Sequence, residues 1–379
     1  MSRLQLSTVV LTLLLGVGSA RSDGAFPDSL AMFLPSDRPQ EIVLATNFGL
    51  VTSEDDGATW YLVCEQAIAT KVVAYQMSAP PDDTLYAETP SGLGYSNDRG
   101  CTWQFATGSV AAANVLDAFP DPNDAATLFA ITQSTDDGGN PVDAVYQSSD
   151  HGRSFVAPPL FSGNSMQSLT GVEKARSAPG TLYLSLFSYP PLTPLLASST
   201  GGGAFKLMDE SAYVSSQPFI AAVDPMDANV LYLRLRGQGD ALGISRDGGA
   251  SISTIIPMSG LMSAFLKRAS GVVLVGSANG TPLRSTDGGN TFAPWKVTPH
   301  VRALGERGST LYVAADDARD GFAMARSSDE GMHWTPILRF RDIVAPLACG
   351  DLPSQCAAAW ASVVALTSPV DAGAGGGGG

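Results

Sequence analysis

The chain has 379 residues, with 36 acidic against 22 basic side chains and a formal net charge of −14. That balance leaves no electrostatic footprint for nucleic acid and disfavours anionic lipid surfaces; it serves solubility instead. Beyond the N-terminus no run approaches the roughly eighteen apolar residues of a spanning helix, and Ala357 to Leu366 is too short.

Residues 1–20 read as a secretory signal peptide, with Arg3 as the positive n-region, Leu4 to Val17 as the apolar core and Gly18-Ser19-Ala20 as the cleavage site. Its removal makes the charge −15, and no Cys follows the cut to take a lipid. The expected location is therefore secreted or at the cell surface. Ser29 to Leu34 then reads as a first inner strand, with Ile42-Val43-Leu44 as the second strand beside it.

From there one cassette, Ser-x-Asp-x-Gly-x-Thr-aromatic, returns seven times. It reads SEDDGATW from Ser53, SNDRGCTW from Ser96, SSDHGRSF from Ser148, SSTGGGAF from Ser198, SRDGGASI from Ser245, STDGGNTF from Ser285 and SSDEGMHW from Ser327. The starts are 43, 52, 50, 47, 40 and 42 residues apart, a period that marks a propeller or solenoid. Six copies keep all three fixed residues: Ser53, Asp55 and Gly57; Ser96, Asp98 and Gly100; Ser148, Asp150 and Gly152; Ser245, Asp247 and Gly249; Ser285, Asp287 and Gly289; Ser327, Asp329 and Gly331. The fourth has Thr200 in place of Asp, and the fifth ends in Ile252 where the others end in Trp60, Trp103, Phe155, Phe205, Phe292 or Trp334.

The residue types explain the cassette. Gly accepts the positive φ of a tight turn. The carboxylate and the hydroxyl can take backbone N–H groups and hold the turn shut, so the Asp is expected to be a brace rather than a catalyst. The aromatic opens the next strand and packs on the adjoining sheet. Ahead of the later cassettes stand short β-rich segments: Thr84-Leu85-Tyr86, Thr127-Leu128-Phe129, Thr181-Leu182-Tyr183, Val230-Leu231-Tyr232, Val273-Leu274-Val275 and Thr310-Leu311-Tyr312. Turn-rich runs such as Asp121-Pro122-Asn123-Asp124 precede several of them.

These cassettes resemble Asp-boxes, or BNR repeats, of sialidases, sortilin-type receptor ectodomains, xyloglucan-cleaving propeller enzymes and photosystem II assembly factors. The likeness runs over about residues 28 to 345. It implies a β-propeller, with each box between the third and fourth strands on the face away from the ligand site. Seven units of about 45 residues predict an all-β chain: a single seven-bladed propeller of four-stranded antiparallel blades over 28–345. A cap over 346–368 and a glycine-rich flexible tail over 369–379 complete the expected layout. Closure is expected from a first blade contiguous in sequence, with Ala361 to Leu366 as the alternative closing strand.

Four cysteines in an exported chain suggest two disulfides. Cys349 with Cys356 encloses a short turn, and Cys64 with Cys101 ties the first blade to the second. No metal-ligand spacing accompanies them.

The functional face is expected opposite the cassettes, on the loops Ser134–Asp143, Phe187–Pro194, Arg236–Ala241 and Asp316–Gly321. These offer Asp136, Asp137, Tyr189, Arg236, Asp240, Asp316, Asp317 and Arg319 as candidate ligand contacts. No catalytic residue is assigned. An Arg-Ile-Pro element is missing, no Gly-x-Ser-x-Gly elbow occurs, and two of the three histidines (His151 and His333, but not His300) fill variable cassette positions. The sequence thus points to a secreted, non-enzymatic, monomeric propeller that binds a protein or glycan and needs no cofactor. A sialidase-like or xyloglucanase-like glycoside hydrolase and an assembly factor for exported proteins are the alternatives.

Overall fold

The computed structural model describes residues 27–190, 192–201, 203–237, 239–296 and 299–367. The expected signal peptide (1–20) and glycine tail (369–379) lie outside the described residues. Seven four-stranded antiparallel sheets follow one another along the chain as blades of a propeller. Their inner strands are Ser29–Phe33, Ala74–Met77, Asn114–Pro120, Gln167–Lys174, Gln217–Val223, Met262–Lys267 and Val301–Arg307. Each inner strand touches the next, and the last touches the first, so the ring is closed. The second strands are largely buried, and the anticipated Leu-Tyr and Val segments fall within them. In six blades the inner pair shifts register by one residue, as between Val115 and Asp117 or between Leu169 and Gly171. Such bulges bend a strand and raise its twist.

The cassettes lie between third and fourth strands and share one hydrogen-bond pattern. In box 1, Ser53 Oγ donates to Asp55 Oδ1 (2.8 Å) and accepts from the Gly57 N–H (2.9 Å), while Asp55 Oδ1 accepts from the Thr59 N–H (2.8 Å). Boxes 2, 3, 5, 6 and 7 repeat the first two contacts. The box glycine is also where one blade meets the previous one. A Cβ on Gly152 (φ +74°) would stand 2.6 Å from the Tyr86 ring of blade 2, and one on Gly331 would stand 2.5 Å from Trp295 of blade 6. At the closure, Gly57 faces Ile337 of blade 7, whose carbonyl accepts the Trp60 indole N–H (2.8 Å).

Blade 3 departs from the expected box-to-strand order. Ser154–Phe155 leaves its own sheet to pair in parallel with Thr107–Gly108, and Phe161–Ser162 becomes the fourth strand. Blade 1 gains a fifth strand, Ala345–Pro346, parallel to Tyr61 and Leu62. The alternative closing strand is instead helical: Ala357–Thr367 is rich in alanine, the best helix former, and blade 1 already has its four strands.

The disulfide pairing corrects the sequence expectation. Cys64 bonds Cys356 and Cys101 bonds Cys349, with Cα separations of 5.5 and 5.7 Å. The physical reason is closure. The chain returns to blade 1 after completing the ring, and the Ala345–Pro346 strand carries both late cysteines to the early ones. The bonds join the C-terminal segment to blades 1 and 2 rather than blade 1 to blade 2.

Candidate ligand-binding face

In antiparallel blades, the turns between second and third strands and the connections between blades emerge on the face opposite the cassettes. All eight candidate contacts occur on these turns or at their strand ends, but on different blades. Asp136 and Asp137 top the long hairpin of Leu128–Thr135 and Pro141–Ser148 in blade 3. Asp136 shapes that turn by accepting the backbone N–H of Asn140 (2.8 Å) and Gly138 (2.9 Å), bonds that hold its carboxyl below its ordinary range. Asp137 beside it is exposed.

Asp240 is not a rim group. It is 4% exposed, and its Oδ2 accepts from Arg234 Nε and from the Met262 N–H of blade 6, both at 2.8 Å. Arg236 at the same turn is exposed. Asp316 caps the short helix Asp317–Asp320 and meets Arg302 Nη2 at 3.0 Å; Arg302 also reaches Asp28 Oδ1 at 2.8 Å. Asp317 accepts the Phe340 N–H, and burial pushes its carboxyl up. Asp320 clamps His300 through both its ring and its backbone, each at 3.0 Å. Arg319 extends into solvent. Most carboxylates of this face are therefore committed to local hydrogen bonds.

Apart from Arg236 at the blade 5 turn, the loops of blades 4 to 6 present a different surface. The stretches 163–167, 189–194, 211–217, 258–261 and 278–282 contain no Asp, Glu, Lys or Arg. Tyr189 is 65% exposed, and its backbone N–H bonds to the carbonyl of Met166, itself 61% exposed. Tyr213 and Leu261 stand out from neighbouring connections. The sequence reading found Tyr189 but passed over Met166 and Tyr213, although their uncharged, Ser- and Asn-containing surroundings are visible in the sequence.

It also passed over three carboxylates on the inner seams of the ring, buried Glu88 and half-buried Asp117 and Glu173. Each accepts a backbone N–H from the next blade, at Ala118 (3.0 Å), Val172 (2.9 Å) and Val223 (2.9 Å). Burial raises all three, and pushes Glu173 up to about 8. An acid inside an otherwise apolar strand was the available signal. Two cavities open on the cassette side instead. A groove of about 440 Å³ lies by Phe292, Lys296 and Met332, and one of about 320 Å³ lies at the channel mouth by Met32, Met77 and Pro80.

Together these features define a seven-bladed β-propeller with a mixed loop face. No protein-family model matches the chain, and no curated protein matches it. Among solved structures it is similar to Sqt1 of Saccharomyces cerevisiae, at 12% identity and a TM-score of 0.51, covering 83% of this chain and 86% of that one. It is also similar to a GH74 enzyme of Niastella koreensis, at 14% identity and a TM-score of 0.46, covering 85% of this chain and 66% of that one. YCF48 bound to a D1 peptide matches at 16% identity and a TM-score of 0.49, covering 76% of this chain and 91% of that one. At these identities the likeness is one of fold. No helix among the described residues is long and apolar enough to cross a membrane.

Proposed function

We propose that the protein is an exported, non-enzymatic binding propeller that takes a protein or glycan ligand on its loop face, over blades 4 to 6. The observation that supports this is the pairing of exposed Tyr189, Met166 and Tyr213 with five uncharged stretches, broken by Arg236 at the blade 5 turn, in a chain of net charge −14. Tyrosine offers a rigid, amphipathic contact at low entropic cost, and Ser, Asn and Gly adapt their hydrogen bonds around it. The nearby acids are spent on turns and caps, which argues against paired carboxylates for glycoside hydrolysis. In this reading the seven cassettes are Asp-boxes, purely structural, and the segment 346–368 is a cap on blade 1.

The test is a glycan array, a panel of fluorogenic glycosides and a pull-down with the mature protein. Tyr189→Ala with Tyr213→Ala should abolish capture without shifting the melting temperature. Glycoside turnover that disappears with Asp317→Asn would replace the binding role with a hydrolytic one.

A further inference from the structure

The seams between blades are closed by ion pairs and by carboxylates that hold a backbone N–H of the neighbouring blade, as Asp240 holds Met262 between blades 5 and 6. From blade 5 round to blade 2 they carry ion pairs: Lys267 with Asp224, Arg268 with Glu306 (2.9 Å), Arg302 with Asp28 (2.8 Å), Arg326 with Asp56 (2.6 Å) and Arg99 with Glu54. From blade 2 to blade 5 the inner seams are bridged by Glu88, Asp117 and Glu173, each holding a backbone N–H of the following blade. The charges acting on these three are their own. Asp117 faces Glu88, with Gln76 as the polar neighbour, and Asp117 also acts on Glu173. Lys174, next in sequence to Glu173, pairs across the seam with Asp121 of blade 3, so this arc carries an ion pair as well. The other pair near this arc, His151 with Asp82, lies at the cassette turn of blade 3.

We propose that the three inner seams from blade 2 to blade 5 are proton-dependent joints, tight when their carboxyls carry protons and loosened when they ionise. A neutral carboxyl still accepts the neighbouring N–H and causes no repulsion along the row. Ionised, the row places like charges together on the inner seams, where Glu88 is buried and Asp117 and Glu173 are only half-exposed, and the N–H bonds offset only part of that cost. Burial raises all three, and Asp117 adds repulsion at Glu88 and Glu173, so folding takes up protons. Stability of the arc is full at acid pH and falls as pH rises through the range where Asp117 and then Glu173 ionise. Blades 4 and 5 carry Tyr189 and the Tyr213 connection, so the loop face stands over these joints.

The experiment is amide hydrogen exchange on the mature protein from pH 5 to pH 9, corrected for intrinsic rates. Peptides covering Asn114–Pro120, Gln167–Lys174 and Gln217–Val223 are followed, with Val301–Arg307 of blade 7 as the control. Protection in the three seam peptides should fall about tenfold or more, the equivalent of one unit of pKa displacement, while the control stays level. Glu173→Gln, neutral at every pH, should flatten the profile at Val223. If that variant does not fold, Glu88→Gln read at Ala118 makes the same test. A flat wild-type profile, or a Gln variant that keeps the wild-type slope, overturns the proposal.

Discussion

A single box aspartate does several jobs with one carboxylate. Asp150 accepts from the Ser148 and Ser154 hydroxyls and from the Arg153 and Ser154 N–H groups at 2.6–3.1 Å. Burial opposes ionisation, but those bonds dominate and hold the carboxyl down at about 2. Asp150→Ala should therefore cost about 1–2 kcal/mol at neutral pH, as other lost side-chain caps do. Because the folded value lies below the unfolded one, this stabilisation is complete above about pH 4 and fades toward pH 2. Denaturant melts of wild type and variant should converge over that interval; a gap that persists at pH 2 would remove the carboxylate from the account. The Ser, Asp and Gly of the boxes could be read from the sequence because their bonds are local, spanning two to four residues. The same locality misled at the loop face, where Asp240 looked like a rim acid. Its partner, the Met262 N–H, comes from the next blade and leaves no trace beside it in the chain.

At the scale of elements, the strands announced themselves through period and β-branched content, but their edges did not. Nothing in Ala345–Pro346 marks it as a strand; it becomes one because blade 1 offers an open outer edge when the chain comes round. The disulfides share that origin. The expected pairs were neighbours in sequence or in blade order, whereas the actual ones span 292 and 248 residues and depend on closure. Replacing Cys64 and Cys356 together with Ser should lower stability by about 2–5 kcal/mol and expose the helix Ala357–Thr367 to protease before the blades are cut. Simultaneous loss of helix and blades in a proteolysis time course would show that the segment is integral to the ring rather than clasped to it.

Across the whole molecule, two groups of acids stand out with opposite pH behaviour. The cassette aspartates sit below their ordinary values, and Glu88, Asp117 and Glu173 on the inner seams sit above theirs. Glu210, fully buried with both oxygens lacking hydrogen bonds, belongs to the second group; burial, then Asp247 and Asp209, push it up to about 7. Its ionisation costs stability progressively as pH rises from the ordinary carboxylate range through 7. Glu210→Gln should accordingly raise the melting temperature by several degrees at pH 8 and leave it unchanged at pH 4. An equal gain at both values would assign the effect to packing. The route of the late cysteines back to blade 1 has one more consequence. During synthesis Cys64 and Cys101 emerge together, long before Cys349 and Cys356 exist, so the bond nearest to hand is the wrong one. Correct oxidation can finish only after every blade has been made, which turns thiol chemistry into an inspection of the completed product.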